Sequence, residues 1–273
     1  MKILISCDME GVSGVVDWEH VEPGTTEYEH FRRIMTGDVN AAVRGAFDAG
    51  ADEVLVTDGH EHGRNILLAE LDSRVMLNCG TDLPLSVAQG VETGVNGVFF
   101  VGYHARYGAS NAVLSHTWSA VVRNLWLNDI LVGETGLVAA VCGHFGVSAL
   151  MISGDHLVCA EATELLGKIE TAVVKQALTR QSAACLPLEA SRQAIYTAAA
   201  RAVERLKTGE VPAVYRLSTP VKLTLELMEK EMMPRVEQVP GTKRLDDVKL
   251  EYVAADMLEA FQVFRKYNNL GAD

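Results

Sequence analysis

The strongest constraint on this chain is a rhythm in its first two-thirds, where short apolar runs of strand type alternate with stretches of helical spacing. KILISC, at residues 2–7, is rich in Ile and Leu and predicts a buried strand. Phe31, Ile34, Met35, Val39, Ala42, Val43 and Ala46 then fall three and four apart, the stripe of an amphipathic helix ending at Ala49-Gly50. EVLVTDGH predicts a strand, NILLAEL a short helix, VMLNCG a strand, PLSVAQGVE a helix, and GVFFVGYHA a strand apolar enough for burial on both faces. LWLNDILVG predicts a hairpin turning at Asn128-Asp129, ETGLVAAVCGHFG a helix, ALMISGDH a strand and LVCAEATELLG a helix closed by Gly167. Such alternation implies an α/β fold built on a doubly wound, mostly parallel sheet. After the amphipathic stretch Leu188 to Leu206, VKLTLEL and KLEYVAAD predict strands and DMLEAFQVFRKY a helix. Residues 1–185 are therefore expected to form an α/β domain and 186–273 a smaller α+β C-terminal portion.

In an open parallel sheet, ligands bind beyond the carboxyl ends of the strands. Those ends are unusually polar in this sequence. The first delivers Asp8 and Glu10, the second Asp58 and His60, and GVFFVGYHA delivers His104. AVLSHTW adds Ser115 and His116, the hairpin region adds Glu134, and ALMISGDH adds Asp155 and His156. Each has an ordinary reading by itself: a histidine after a strand is usually a hydrogen-bonded loop residue, Asp58 before a glycine closes a turn, and Glu134 suits a helix N-terminus. Asp8 and Glu10 resist that reading, because two carboxylates at the edge of an apolar core repel unless a cation or donors meet them. Imidazoles mixed with carboxylates are the ligand set of zinc or a similar transition ion, whereas magnesium and calcium prefer oxygen alone. Trp118, beside His116, is the one tryptophan with a sequence reason to lie near such a site; Trp18 and Trp126 read as core or interface.

The net charge of −12, with no cluster of Lys and Arg, argues against nucleic acid or an anionic membrane as partner. Small molecules or copies of the same chain fit better. Five cysteines, at 7, 79, 142, 159 and 185, include no C-x-x-C pair, which suits a reducing, cytoplasmic location better than a disulfide framework. The apolar run before Asp8 is too short for the core of a signal peptide, and no run approaches the roughly 18 apolar residues of a membrane span.

DMEGVSG at the N-terminus, DGH at 58–60, GYHA at 102–105, LSH at 114–116 and VGETGL at 132–137 together resemble the bacterial zinc-dependent D-aminopeptidases of the DppA type. The match runs in order through SGD at 153–155, and VPG and DMLEA extend it toward the C-terminus. The resemblance implies a metallo-aminopeptidase with two zinc ions per subunit. The metal ligands it implies are Asp8, Glu10, His60, His104 and Glu134, and the catalytic histidine is His116. It also implies a closed homo-oligomer, of which a decamer is one expected form, acting on short peptides that begin with a D-residue such as D-alanine. Three positions depart from the family pattern: Thr117 follows His116 in place of Ser, Gly59 stands between Asp58 and His60 in place of Ser, and His156 follows Asp155 where an acid is common. The last departure is expected to fall on the substrate pocket.

Two other readings account for part of the same residues. ILISCDMEGVSG also looks like the strand and acidic loop of haloacid dehalogenase-type magnesium phosphohydrolases, with Asp8 as nucleophile and Glu10 as acid/base. That reading leaves His60, His104 and His116 without a task. A non-catalytic oligomeric protein with structural metal would require a closed site lacking an open coordination position.

Overall fold

The computed structural model describes residues 1–272, and in it the four longest apolar runs of strand type lie side by side. They are β1 (Lys2–Cys7), β2 (Glu53–Asp58), β4 (Gly97–Tyr103) and β7 (Ala149–Asp155), and β3 (Met76–Asn78) flanks β2. All pair in parallel, with Ile3 of β1 opposite Val54 on one side and Gly97 on the other. Every residue of β4 and β7 is buried, as their unbroken apolar runs require of strands covered on both faces. The sheet order is β3-β2-β1-β4-β7-β8-β9, where β8 (Glu170–Thr179) pairs parallel to β7 and β9 (Ser182–Cys185) turns back antiparallel. The order reverses direction between β1 and β4, which makes their carboxyl ends the switch point where a crevice opens.

Alternation along β1 sends Ile3, Ile5 and Cys7 to one face and Leu4 to the other. The first face packs on α1 (Thr26–Asp48), through Met35, Val39 and Ala42, and on α4 (Leu188–Thr208), through Ile195, Ala199 and Val203. Thr25 caps α1 by accepting from Tyr28 N at 2.9 Å, which sets the start of the helix ahead of its apolar stripe. The opposite face is covered by α2 (Glu134–His144) and α3 (His156–Leu166).

A second, antiparallel sheet lies on that side, in the order β11-β12-β10-β5-β6. Its strands are β5 (Val122–Leu127), β6 (Ile130–Val132), β10 (Val221–Leu227), β11 (Lys243–Arg244) and β12 (Lys249–Ala254). The β5–β6 hairpin turns at Asn128 and Asp129, both with positive φ (49° and 67°), the geometry such a two-residue turn demands. A short α5 (Met233–Val236) and then α6 (Met257–Ala272) complete the chain, α6 packing between α2 and the strands β10 and β12. Residue 185 ends β9; beyond it α4 returns to the parallel layer, while β10 and β12 join the earlier hairpin.

Two expected helices are absent. NILLAEL forms turns, because α1 claims its carbonyls: Asn65 O accepts from Arg32 Nε at 2.9 Å and Glu70 O from Asn40 Nδ2 at 2.8 Å. PLSVAQGVE makes only single 3-10 turns at Ser86–Ala88 and Val91–Thr93, broken by Gly90 at φ +98°.

Candidate active site

The six residues singled out in the sequence meet at the switch point. Asp8 and Glu10 leave β1, His60 leaves β2, His104 leaves β4, His116 lies on the loop before β5, and Glu134 opens α2. The acidic loop after β1 is laced to β4: Asp8 N donates to Val101 O at 2.9 Å and Gly11 N to Gly102 O at 2.8 Å. Gly102 permits this approach, since its φ is +76° and a Cβ there would stand 2.3 Å from Asp8 O.

Asp8 divides its two oxygens. Oδ1 faces His60 Nδ1 at 3.2 Å, and Oδ2 faces His104 Nε2 at 3.4 Å. On the first side Glu10 Oε2 stands 3.2 Å from His60 Nδ1; on the second Glu134 Oε1 stands 3.0 Å from His104 Nε2. Asp8, Glu10 and His60 thus form one trio and Asp8, His104 and Glu134 another, each with ligand atoms within 4.8 Å of one another. A third grouping, of Glu10, His104 and His116, passes the same distance test. His116 is set looser, with Nε2 at 3.7 Å from Glu134 Oε1 and 3.9 Å from Glu10 Oε1, and its ring stacks on that of His104 at 4.0 Å.

Each imidazole is oriented from behind by a main-chain carbonyl. His60 Nε2 donates to Val21 O at 2.8 Å, His104 Nδ1 to Ala105 O at 3.0 Å and His116 Nδ1 to Leu114 O at 2.9 Å. With that proton fixed, the second nitrogen of every ring points into the cluster, as second partners fix metal-binding histidines. Glu10 Oε2 and His104 Nε2 are buried without a hydrogen-bond partner, although each has an oppositely charged neighbour close by. The inward nitrogens and the carboxylate oxygens gather around the same points, 3.0 to 3.4 Å from one another. That arrangement, with its mixed nitrogen and oxygen donors, fits a zinc-like cation.

The electrostatics point the same way. Burial, reinforced by Glu10, pushes the Asp8 carboxyl up to about 7. Burial alone would lower His104, but the Glu134, Glu10 and Asp8 carboxylates together outweigh it and carry the imidazole up to about 10. His60 is likewise raised against burial by Glu10. The pocket demands positive charge. His116 goes the other way, held below its usual range by burial and by the His104 ring beside it.

Two cavities, of about 440 and 460 Å³, open onto the cluster and share Glu10, His60, His116 and Trp118. Trp118, whose main-chain N–H donates to Glu134 Oε1 at 2.6 Å, lies at the site as its sequence position suggested. Leu114 and Trp118 bracket His116 with positive φ (47° and 68°), an uncommon backbone for such residues and one found where a side chain must be aimed.

Residues 1–266 match the D-aminopeptidase family of peptidases, M55. A D-aminopeptidase of Bacillus subtilis (strain 168) is 36% identical over 264 residues, covering 96% of this chain and 94% of that protein. The chain belongs to the D-aminopeptidase family. Among solved structures, the Zn-dependent D-aminopeptidase DppA from Bacillus subtilis, described as a self-compartmentalizing protease, superposes with a TM-score of 0.96 at 33% identity, covering 100% of this chain and 98% of that one.

Within this family frame several residues carry tasks the sequence did not disclose. Lys175, buried in mid-strand, donates to the carbonyls of Glu10, Val12 and Val15 at 2.6, 3.0 and 2.7 Å, so one ammonium ties down the acidic loop. Trp18 meets the His116 ring edge-on at 5.5 Å. An apolar pattern interrupted by lysine hides the first, and the second stands just outside the DMEGVSG motif with no pattern of its own. His156 lines neither cavity that opens onto the cluster; its Nδ1 accepts from Ala177 N at 3.2 Å. Asp155 caps α3 through Leu157 N and Val158 N. Cys7 is a buried thiol directed at Thr57 O, raised well above its usual range by burial. No helix is long and apolar enough to cross a membrane.

Proposed function

We propose that this protein is a zinc-dependent aminopeptidase that removes the N-terminal residue of short peptides beginning with a D-amino acid such as D-alanine, and that each chain holds two zinc ions. The division of Asp8, one oxygen toward each trio, carries the proposal of a pair. Asp8, Glu10 and His60 would hold one ion, and Asp8, His104 and Glu134 the other. When bound, zinc supplies Lewis acidity that polarises a carbonyl and acidifies water near neutral pH.

The chain's own contribution is positioning and proton handling. His116, its Nδ1 proton committed to Leu114 O, presents Nε2 as a base that takes a proton and returns it to the leaving amine. Its lowered pKa, caused by burial and His104, keeps it neutral and ready to accept at pH 7. The main-chain N–H of Trp118 holds Glu134 in register, and Lys175 holds the carbonyl side of the Glu10 loop. Preference for a D-residue follows from family membership. The relative's self-compartmentalizing character supports a closed homo-oligomer here as well. Five free cysteines accord with a reducing cytoplasm.

The phosphohydrolase reading is not favoured: it gives no task to His60, His104 and Glu134, which gather around Asp8, or to His116 beside them. Elemental analysis of zinc-saturated protein, with an assay for D-alanine release from a D-alanyl peptide, tests the proposal. About two ions per chain, activity abolished by a chelator and restored by zinc, is the expected result. One ion per chain at saturation with full activity excludes the dinuclear site, and magnesium-dependent phosphatase activity without peptide cleavage excludes the reading altogether.

A further inference from the structure

The two cavities that meet at the cluster differ in their walls. One is lined by Trp18, Val21, Tyr107, Val122 and Met228 beside His116; Glu10, Glu22 and Glu61 also line it, and its only Lys or Arg side chain is Arg180. Arg180 sits at the tip of the β8–β9 hairpin, and it is fixed at both ends. Its carbonyl accepts from Leu114 N at 2.8 Å. Its guanidinium donates through Nε and Nη2 to Ser115 O, at 3.3 and 3.1 Å, and lies over the Trp18 ring at 5.4 Å. No carboxylate lies within ion-pair distance of it among the described residues. What sets Arg180 apart is its place: a guanidinium held by Ser115 O and Trp18 in the cleft beside His116.

We propose that Arg180 binds the free C-terminal carboxylate of the peptide substrate, and so selects short peptides with an unblocked C-terminus. This inference rests on the aminopeptidase reading above. His116 must face the leaving amine to return its proton, so the departing part of the peptide lies on the His116 side of the cluster. Arg180 is hydrogen-bonded to the carbonyl of the residue before His116 and shares Trp18 with it. Because a residue spans at most about 3.6 Å, a cation fixed on the leaving-group side favours the terminal carboxylate of a short peptide over that of a longer one, whose end runs past it. The guanidinium retains N–H groups not used on Ser115 O, and an arginine fork is the donor set that a carboxylate matches best. The other cavity has its own arginine, Arg265, whose Nη1 is spent on the carbonyls of Leu83 and Pro84 at 3.1 and 3.0 Å.

The test compares a D-alanyl dipeptide with its C-terminal amide, using zinc-loaded protein. Wild type should prefer the acid by about tenfold or more in kcat/KM, the difference residing in KM, because a site built for a charged group rejects the analogue lacking it. Arg180→Met should lower the acid to the level of the amide and leave the amide unchanged; Arg180→Lys should recover part of the preference, and Arg265→Met should preserve it. Equilibrium binding of both compounds, followed by calorimetry, should show the same tenfold gap and its loss in Arg180→Met. Equal loss for acid and amide in Arg180→Met would mean that the arginine merely supports the His116 loop, and the proposal falls; it falls also if the preference follows Arg265 or is absent from wild type. Binding that discriminates through Arg180 without any cleavage would leave the carboxylate anchor standing and overturn the aminopeptidase reading instead.

Discussion

Asp8 and Asp58 make an instructive pair. Both follow apolar runs in neighbouring parallel strands, Asp58 stands in register with Cys7, and both are buried, at 7% and 2% exposure. Asp58 is answered by neutral donors: Asn65 N at 2.6 Å, Ile66 N at 2.8 Å and Asn65 Nδ2 at 2.8 Å, all from the loop it anchors. Asp8 finds one main-chain donor, Met9 N at 2.9 Å, and otherwise faces two imidazole nitrogens and, through them, two more carboxylates. Residue type, strand end and burial are the same, so none of these marks a functional carboxylate. What distinguishes it is that the fold leaves its charge unanswered and arranges further ligands around the same point.

The largest effects should come from exchanging the two. Asp8→Asn should abolish binding of both ions and lower activity by about 1,000-fold or more, while the metal-free variant stays folded, because a neutral amide relieves buried repulsion. Asp58→Asn should keep the ions and cost about 2–3 kcal/mol of stability, since the amide accepts less well from three donors. If Asp8→Asn retains two ions at normal affinity, or Asp58→Asn loses them without unfolding, the contrast between the two acids collapses.

A smaller effect sharpens the contrast within the histidines. His104→Ala should lose metal first and activity as a consequence, partly recovered at high zinc. His116→Ala should retain both ions, ignore added zinc and lower kcat by about 100-fold with little change in KM. Release of an ion from His116→Ala would place that ring among the ligands.

The smallest effect lies in the pH dependence of metal-free protein. Asp8 is raised by burial and Glu10 from the usual value near 4 to about 7. Folded protein then holds a proton that unfolded chain has released. Its stabilising contribution is complete below pH 4 and is lost as pH rises to 7, by less than about 1.4 kcal/mol per pH unit because the neighbouring histidines share the proton. Urea unfolding of the metal-free chain should show this decline relative to Asp8→Asn, and parallel profiles for the two would remove Asp8 as its source.

Much of the architecture was legible because it rests on patterns confined to single segments. The runs that became β1, β2, β4 and β7, the Asn128-Asp129 turn and the stripe of α1 each carry their own signal. NILLAEL and PLSVAQGVE misled because their outcome is decided elsewhere, by Arg32 and Asn40 of α1 and by the left-handed turn at Gly90. β8 escaped notice because Lys175 interrupts its apolar face, and the lysine makes sense only beside carbonyls some 160 residues away in the chain. The cluster residues stood out through motif and strand-end position. Trp18 and Arg180, which shape the walls, have no local mark at all.

The reach of the β8–β9 hairpin also orders events during synthesis. Its Lys175 secures the loop that bears Glu10, and the main-chain carbonyl of its Arg180 accepts from Leu114 N in the segment that bears His116, so two loops made early are finished by a ribbon made late. A nascent chain that has emerged only as far as His116 already owns both acids and all three imidazoles, but neither Glu134 nor either clasp. The loop that bears Glu10 and the segment that bears His116 therefore reach their final anchoring only when β8 and β9 join the sheet, after every residue of the cluster has been made.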